Sequence, residues 1–115
     1  MATPEAILKR NFSEDFVTKM RNRIIMSHYK YGWMEHTYPE LADAIASLEE
    51  RLSLYKKTGN KEHLADVANF AMIEFLHPRH PNAHFEATDS DKSPGCVGGS
   101  YKQMLEEMGM EYTKG

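Results

Sequence analysis

Apolar residues recur along this chain at spacings of three and four, and the alternation typical of β-strands is almost absent. Thr3 and Pro4 predict the start of a short leading helix, and Ser13 predicts the cap of a second helix that stops at Gly32. A third helix is expected over 38–58, because apolar residues repeat there at heptad-like intervals. The repeating residues are Leu41, Ile45, Leu48, Leu52 and Tyr55.

A fourth helix is predicted over 61–76, with Asn60 as its cap and Pro78 beyond its end. The turn around Gly59 is so short that the third and fourth helices are expected to form an antiparallel αα-hairpin. From Leu64 onward this helix is almost entirely apolar, which is typical of a helix buried on several sides. The expected core face consists of Leu64, Val67, Ala68, Ala71 and Phe75.

The chain after the fourth helix is dense in Pro, Gly, Ser, Asp and His and has no periodicity, which is typical of a lid, a binding loop or a disordered segment. Ser100 with Gln103 forms a capping box for a last short helix that ends at Gly109. The pattern therefore predicts one all-α domain over 1–115, a helical bundle of about four main helices. Its predicted parts are a leader (1–12), a helical core (13–76), a loop or lid (77–99) and a C-terminal helix and tail (100–115).

Composition is that of an ordinary globular protein: 115 residues, 41% hydrophobic and 27% charged, with a formal net charge of −3. The acidic middle of the chain has no basic stripe, so direct nucleic-acid binding is not expected. The single Cys96 cannot form an internal disulfide. No signal peptide or long apolar run is visible, so we expect a cytoplasmic protein without a membrane segment.

Three polar residues interrupt the apolar fourth helix: Glu62, Asp66 and Asn69 are spaced i, i+4, i+7 and share one stripe. Burying a carboxylate costs on the order of several kcal/mol unless it is paired, hydrogen-bonded or bound to metal. Glu49, on the flank of the preceding helix, could meet this stripe across the hairpin or could be a solvated charge. A cluster of Glu49, Glu62 and Asp66 is expected to bind Mg²⁺.

Each member of the stripe also has a structural interpretation. Glu62 lies in the first turn, where an acid interacts favourably with the helix dipole. Asp66 could form a salt bridge with Arg51 or Arg23. Asn69 could hydrogen-bond the backbone of a neighbouring helix. The sequence leaves these interpretations open beside the metal site.

The segment Leu64–Phe70 (LADVANF), after a long helix and a short turn, resembles the MazG-like all-α nucleoside triphosphate pyrophosphohydrolases. It is most similar to small phage-type relatives associated with nucleotide modification. The other matching pieces are Tyr31–Trp33 and Arg51–Leu52, so the resemblance covers about residues 24–76. It implies a nucleotide ligand for this chain.

The family's metal site has Glu-x-x-Glu on the first helix of the hairpin and Glu-x-x-Asp on the second. Asp66 matches the Asp of the second motif, whereas His63 occupies the position of its Glu. Glu62 and Glu49 are approximate substitutes for the missing acids. The resemblance implies that Mg²⁺ on these carboxylates grips a triphosphate and activates a water that releases pyrophosphate. Because in-line attack needs metal positions that this reduced set does not clearly supply, nucleotide binding is a separate expectation from hydrolysis.

Candidate ligand-binding residues combine cations, an amide and loop histidines. Asn69 would orient a ligand or carboxylate, and Arg51 or Lys56 would neutralise phosphate. The loop residues could contact phosphate or base from a lid, could bind zinc with Cys96, or could be polar surface. These loop residues are Arg79, His80 and His84, with His77 for the zinc alternative.

Three functions remain open at this stage. The leading one is Mg²⁺-dependent nucleotide binding with possible pyrophosphate release. The alternatives are a non-catalytic, phage-type protein that sequesters a nucleotide signal, and a purely structural helical oligomer. In each case a homo-oligomer, dimer or tetramer, is expected, because helices 38–58 and 61–76 carry more apolar surface than one short chain can cover.

Overall fold

A computed structural model describes residues 2–88, and all regular secondary structure in that range is helical. The all-α prediction is therefore confirmed for this part of the chain. The predicted helix over 100–109 and Cys96 lie outside the described residues. The elements in chain order are α1 (Pro4–Asn11), α2 (Glu14–Tyr31), a 3-10 turn (Met34–His36), α3 (Ala44–Thr58) and α4 (Glu62–Leu76).

Most helix ends lie where the capping residues predict them. Ser13 Oγ accepts a hydrogen bond from Phe16 N at 2.9 Å and so caps α2. Thr3 Oγ1 accepts from Ala6 N at the start of α1 in the same way. Asn60, predicted to cap α4, lies one residue before the N-cap Lys61, and its Oδ1 accepts from Glu62 N at 3.0 Å. Gly59 follows α3 with a φ of 72°, a left-handed conformation that glycine adopts without the steric cost of a Cβ.

The third helix begins at Ala44, so the prediction that it begins near residue 38 was wrong. Asp43 caps it: Oδ1 accepts a hydrogen bond from Ala46 N at 3.1 Å. This carboxylate satisfies one of the amides that lack a partner inside the helix, which fixes the start. Leu41 lies in the preceding turn and is 81% exposed, so it is not part of the buried repeat.

Helices α3 and α4 pack along one another, and α2 packs on α4. Since only residues 59–61 connect α3 to α4, the two helices run antiparallel, as predicted. The expected core face of α4 was wrong at Ala71, which is exposed, and at Phe75, which is 70% exposed, whereas Leu64, Val67 and Ala68 are half-buried. The buried face instead consists of Ala65, Asp66, Asn69 and Ile73. The polar stripe is thus the packed face of this helix.

Residue contacts divide the chain into two compact units. One is Ser13–Ala83, which contains α2, α3 and α4. The other joins Met1–Phe12, with α1, to His84–Gly115. No helix within residues 2–88 has the length and apolar character needed to cross a membrane. The site described next lies entirely within Ser13–Ala83.

Candidate ligand-binding site

The carboxylate of Asp66, only 8% exposed, faces arginines from two other helices. Arg23 of α2 donates from Nε to Oδ1 at 3.0 Å and from Nη2 to Oδ2 at 3.1 Å, a bidentate pair. Arg51 of α3 lies farther away, with 3.8 Å between Nη1 and Oδ2. The hydrogen bond to Asp66 is the main cause of a raised pKa for Arg23. The salt-bridge interpretation of Asp66 is therefore observed.

Arg23 also pairs with Glu62, whose Oε1 lies 2.7 Å from Nη1. The guanidinium of Arg23 thus lies between Glu62 and Asp66, two of the three carboxylates predicted to hold Mg²⁺. Glu49 is exposed on α3, and residues 2–88 contain no group of three or more His, Cys, Asp or Glu side chains arranged to hold a metal ion. In this arrangement Arg23 is the cation that contacts the carboxylates of Glu62 and Asp66, and we call Arg23, Glu62 and Asp66 the charged cluster.

Asn69 connects α4 to α2 through a buried hydrogen bond. Its Nδ2 donates to the carbonyl oxygen of Met20 at 3.0 Å. Its Oδ1 is buried and has no hydrogen-bond partner within the described part of the chain. The sequence analysis left open that Asn69 hydrogen-bonds the backbone of a neighbouring helix, and this hydrogen bond is observed.

An open cleft of about 830 Å³ runs beside the C-terminal half of α2. Its walls come from α2, from the segment between α2 and α3, and from one or two residues each of α3 and α4. Aromatic side chains dominate the lining, and we call this the aromatic cleft. The aromatic residues in it are His28, Tyr29, Tyr31, Trp33, Tyr38 and Phe70.

Several of these rings are open to solvent, since Tyr29 is 82% and Trp33 62% exposed. The Trp33 indole contacts the His28 ring edge-on, with 4.5 Å between ring centroids, which helps to hold it in place. Burial, with a smaller contribution from Tyr31, raises the pKa of Tyr38 above its usual range. The cleft therefore has a mostly apolar wall in which Tyr38 stays neutral at physiological pH.

Among the lining residues in the described part of the chain, Arg51 is the only Lys, Arg, Asp or Glu. No hydrogen bond from its guanidinium occurs within residues 2–88, and its nearest carboxylate is the 3.8 Å contact with Asp66. A guanidinium carries five N–H donors in a planar fork suited to carboxylate or phosphate. Arg51 therefore offers donors toward the cleft that an anionic ligand can use.

The other predicted ligand residues are not in the cleft lining. Lys56 and His80 are exposed, and Arg79 Nη1 forms a 3.7 Å ion pair with Asp43. His84 belongs to the other compact unit. Of the predicted ligand residues in Ser13–Ala83, Arg51 alone lines the cleft.

Sequence reasoning missed the aromatic wall. Its signal was present, because the six residues from His28 to Trp33 include four aromatic side chains. Of these residues, Tyr31–Trp33 entered the sequence analysis as part of the family resemblance and not as a binding surface. An aromatic run across a helix end is informative, because not all of its rings can point into one core.

No protein-family model, curated protein or solved structure matches the chain. The resemblance to the MazG-like group therefore stays a prediction that rests on the quoted motifs. The segments that carry it nevertheless converge in space: Tyr31–Trp33 and Arg51 line the aromatic cleft, and Asp66 adjoins Arg51.

Proposed function

We propose that this protein binds a nucleotide in the aromatic cleft and acts as a binding module. The observation that carries the proposal is the combination of an exposed aromatic wall with Arg51, which donates no hydrogen bond within residues 2–88. Bases stack on aromatic rings without needing specific hydrogen bonds, and a guanidinium binds phosphate oxygens in a bidentate way. The two halves of a nucleotide match the two kinds of surface in this cleft.

The size and exposure of the cleft support the proposal. Small-molecule sites are mostly apolar clefts of roughly 300–1,000 Å³ with a few polar groups, and this one is about 830 Å³. Exposed contiguous aromatic surface is uncommon on soluble domains unless something binds to it. Tyr29 and Trp33 are far more exposed than structural aromatic residues usually are.

We do not expect nucleotide binding in this cleft to require a divalent metal ion. Glu62 and Asp66 already have a positive partner in Arg23, at 2.7–3.1 Å. The Mg²⁺-dependent release of pyrophosphate implied by the family resemblance remains a separate prediction. It is tested by adding MgCl₂ and a nucleoside triphosphate mixture to the protein and measuring pyrophosphate.

Trp33 is the sole tryptophan, so its fluorescence reports on the cleft specifically. We expect purine and pyrimidine nucleotides, titrated in EDTA, to quench it in a saturable way. Trp33→Ala should weaken binding measured by calorimetry about tenfold or more, because stacking is lost. Phe75→Ala, which alters an exposed aromatic residue outside the lining, is the matched control. Absence of both quenching and binding heat at millimolar nucleotide would refute the proposal and favour a structural role.

Self-association is a second proposal, supported by apolar residues outside the cleft lining. Leu41 is 81% exposed, and Leu76 is about half exposed. Covering such side chains with another copy of the chain would remove apolar surface from water. Light scattering at micromolar concentration should return a multiple of the 13.2 kDa chain mass, whereas a value near 13 kDa would contradict self-association.

A further inference from the structure

The charges beside the aromatic cleft limit how much negative charge a ligand can bring. Among the described residues, Arg51 is the one permanently charged side chain in the lining. Behind it lies Asp66, which pairs with Arg23, which in turn pairs with Glu62. These four residues are two guanidiniums and two carboxylates, so their formal charges cancel. This group of four residues is neutral overall, although Arg51 lines the cleft.

A single phosphate group fits this arrangement. Its oxygens can take the N–H donors of Arg51, whose 3.8 Å contact with Asp66 is too long for a hydrogen bond. Asp66 keeps its partner, because Arg23 holds both of its oxygens at 3.0–3.1 Å. Binding one phosphate therefore leaves no buried charge unpaired.

A second or third phosphate finds no comparable partner. Within residues 2–88 the lining provides no further Lys or Arg, and Arg23 is engaged by two carboxylates. The added negative charge would also lie in the same region as the carboxylates of Asp66 and Glu62. Without a metal ion to compensate it, each extra phosphate gains little from the protein and keeps its cost of desolvation.

We infer that the aromatic cleft selects nucleotides with a single phosphate group over nucleoside diphosphates and triphosphates. This inference rests on the proposed function and adds the charge class of the ligand. A 5′-monophosphate and a 3′,5′-cyclic monophosphate share the required chemistry. They differ in charge and shape, so both belong in the test.

The test compares affinities across a phosphate series in EDTA at pH 8, where histidine side chains are ordinarily uncharged. Adenosine, its cyclic monophosphate and its 5′-mono-, di- and triphosphate are titrated against Trp33 fluorescence, and the guanosine, cytidine and uridine series repeat the measurement. For at least one base we expect a monophosphate, cyclic or linear, to bind about tenfold or more tightly than the nucleoside. The diphosphate and triphosphate should bind more weakly than that monophosphate, because the added phosphates keep their cost of desolvation.

Variants of Arg51 show whether the phosphate gain comes from this guanidinium. Arg51→Gln should reduce the advantage of monophosphate over nucleoside to less than about threefold, and Arg51→Lys should restore part of it. Lys57→Gln removes an exposed positive charge on the same helix, outside the lining, and should leave the series unchanged. Circular dichroism of each variant verifies that the helices are intact.

The possible results separate the inference from the proposed function. A diphosphate or triphosphate that binds as tightly as the monophosphate, or more tightly, would overturn the single-phosphate inference while supporting nucleotide binding. Equal binding of nucleosides and all their phosphates would also overturn it, because Arg51 would then not bind phosphate. If no member of the series binds, the proposed function fails and the inference fails with it.

Discussion

The charged cluster and the aromatic cleft lie side by side, but they differ in whether their side chains have partners within the protein. In the cluster, the buried Asp66 has two hydrogen bonds from Arg23, and Glu62 shares the same partner. In the cleft, Tyr29 and Trp33 remain largely exposed and Arg51 makes no hydrogen bond among the described residues. The cluster is internally satisfied, whereas the cleft is not.

Because of this difference, we assign a structural role to the charged cluster and propose a ligand-binding role for the aromatic cleft. A buried carboxylate in an apolar helix suggested chemistry, but here its charge is balanced by an arginine from another helix. Groups that already have partners stabilise the packing and have little left to offer a ligand. The exposed aromatic rings of the cleft and the guanidinium of Arg51, which donates no hydrogen bond among the described residues, can still bind a ligand. The comparison predicts that mutations in the cluster reduce stability and that mutations in the cleft reduce binding.

The largest effect is expected for Asp66→Asn. An amide cannot balance Arg23 and Arg51, so the free energy of unfolding should fall by about 2–4 kcal/mol. Because arginine is the partner, the loss should be the same with and without MgCl₂. Urea denaturation of both proteins measures it, with Glu50→Gln, an exposed acid on α3, as the control. A mutant as stable as the wild type, beside a wild type stabilised by Mg²⁺, would restore the metal interpretation.

The next effect compares the two arginines. Arg23→Gln removes the bidentate partner of Asp66 and should destabilise the fold by about 2 kcal/mol, a value reduced because Arg23 is more than one-third exposed. Arg51→Gln removes only a 3.8 Å contact and should cost about 0.5 kcal/mol or less. Chemical denaturation gives both values. Equal losses would mean that Arg51 is as structurally engaged as Arg23 and is not available to a ligand.

A smaller loss is expected for Asn69→Ala, which removes the hydrogen bond to Met20 O between α4 and α2. The free energy of unfolding should fall by about 1–2 kcal/mol, since the carbonyl loses a buried donor. Asn22→Ala makes the same chemical change at an exposed site of α2 and serves as the control. If the two substitutions have equal effects on the urea midpoint, the Asn69 amide does not stabilise the packing of α2 on α4.

The smallest effect is a pH dependence in the cleft. Because burial raises the pKa of Tyr38, the unfolded chain loses this proton at lower pH than the folded protein does. The resulting stability is fully present below about pH 10, the usual tyrosine pKa, and is lost as pH rises toward the folded value. Tyr38→Phe should therefore show a shallower alkaline loss of stability than the wild type. Tyr29→Phe, at a largely exposed position, should behave like the wild type; identical slopes for all three proteins would contradict the prediction.

Local sequence signals predicted the helices well, because caps and stops act over a few residues. Ser13 and Gly59 each lie at the helix end that their chemistry favours, and Asn60 lies one residue before the N-cap of α4. The same rules failed for the start of α3, where a periodic Leu41 was given more weight than Asp43, a strong N-cap residue. Periodicity shows which residues share a face, but it does not show where the face stops.

What the sequence by itself determined is the all-α class of residues 2–88, the α3–α4 hairpin and the unusual stripe of polar residues on α4. Only the tertiary structure decided which face of α4 is buried and which cation balances Asp66, because the answer depends on Arg23, 43 residues away along the chain. It also brought Arg51 to the aromatic residues at the end of α2. Long-range pairs of this kind leave no local pattern, since each partner satisfies the ordinary preferences of its own helix.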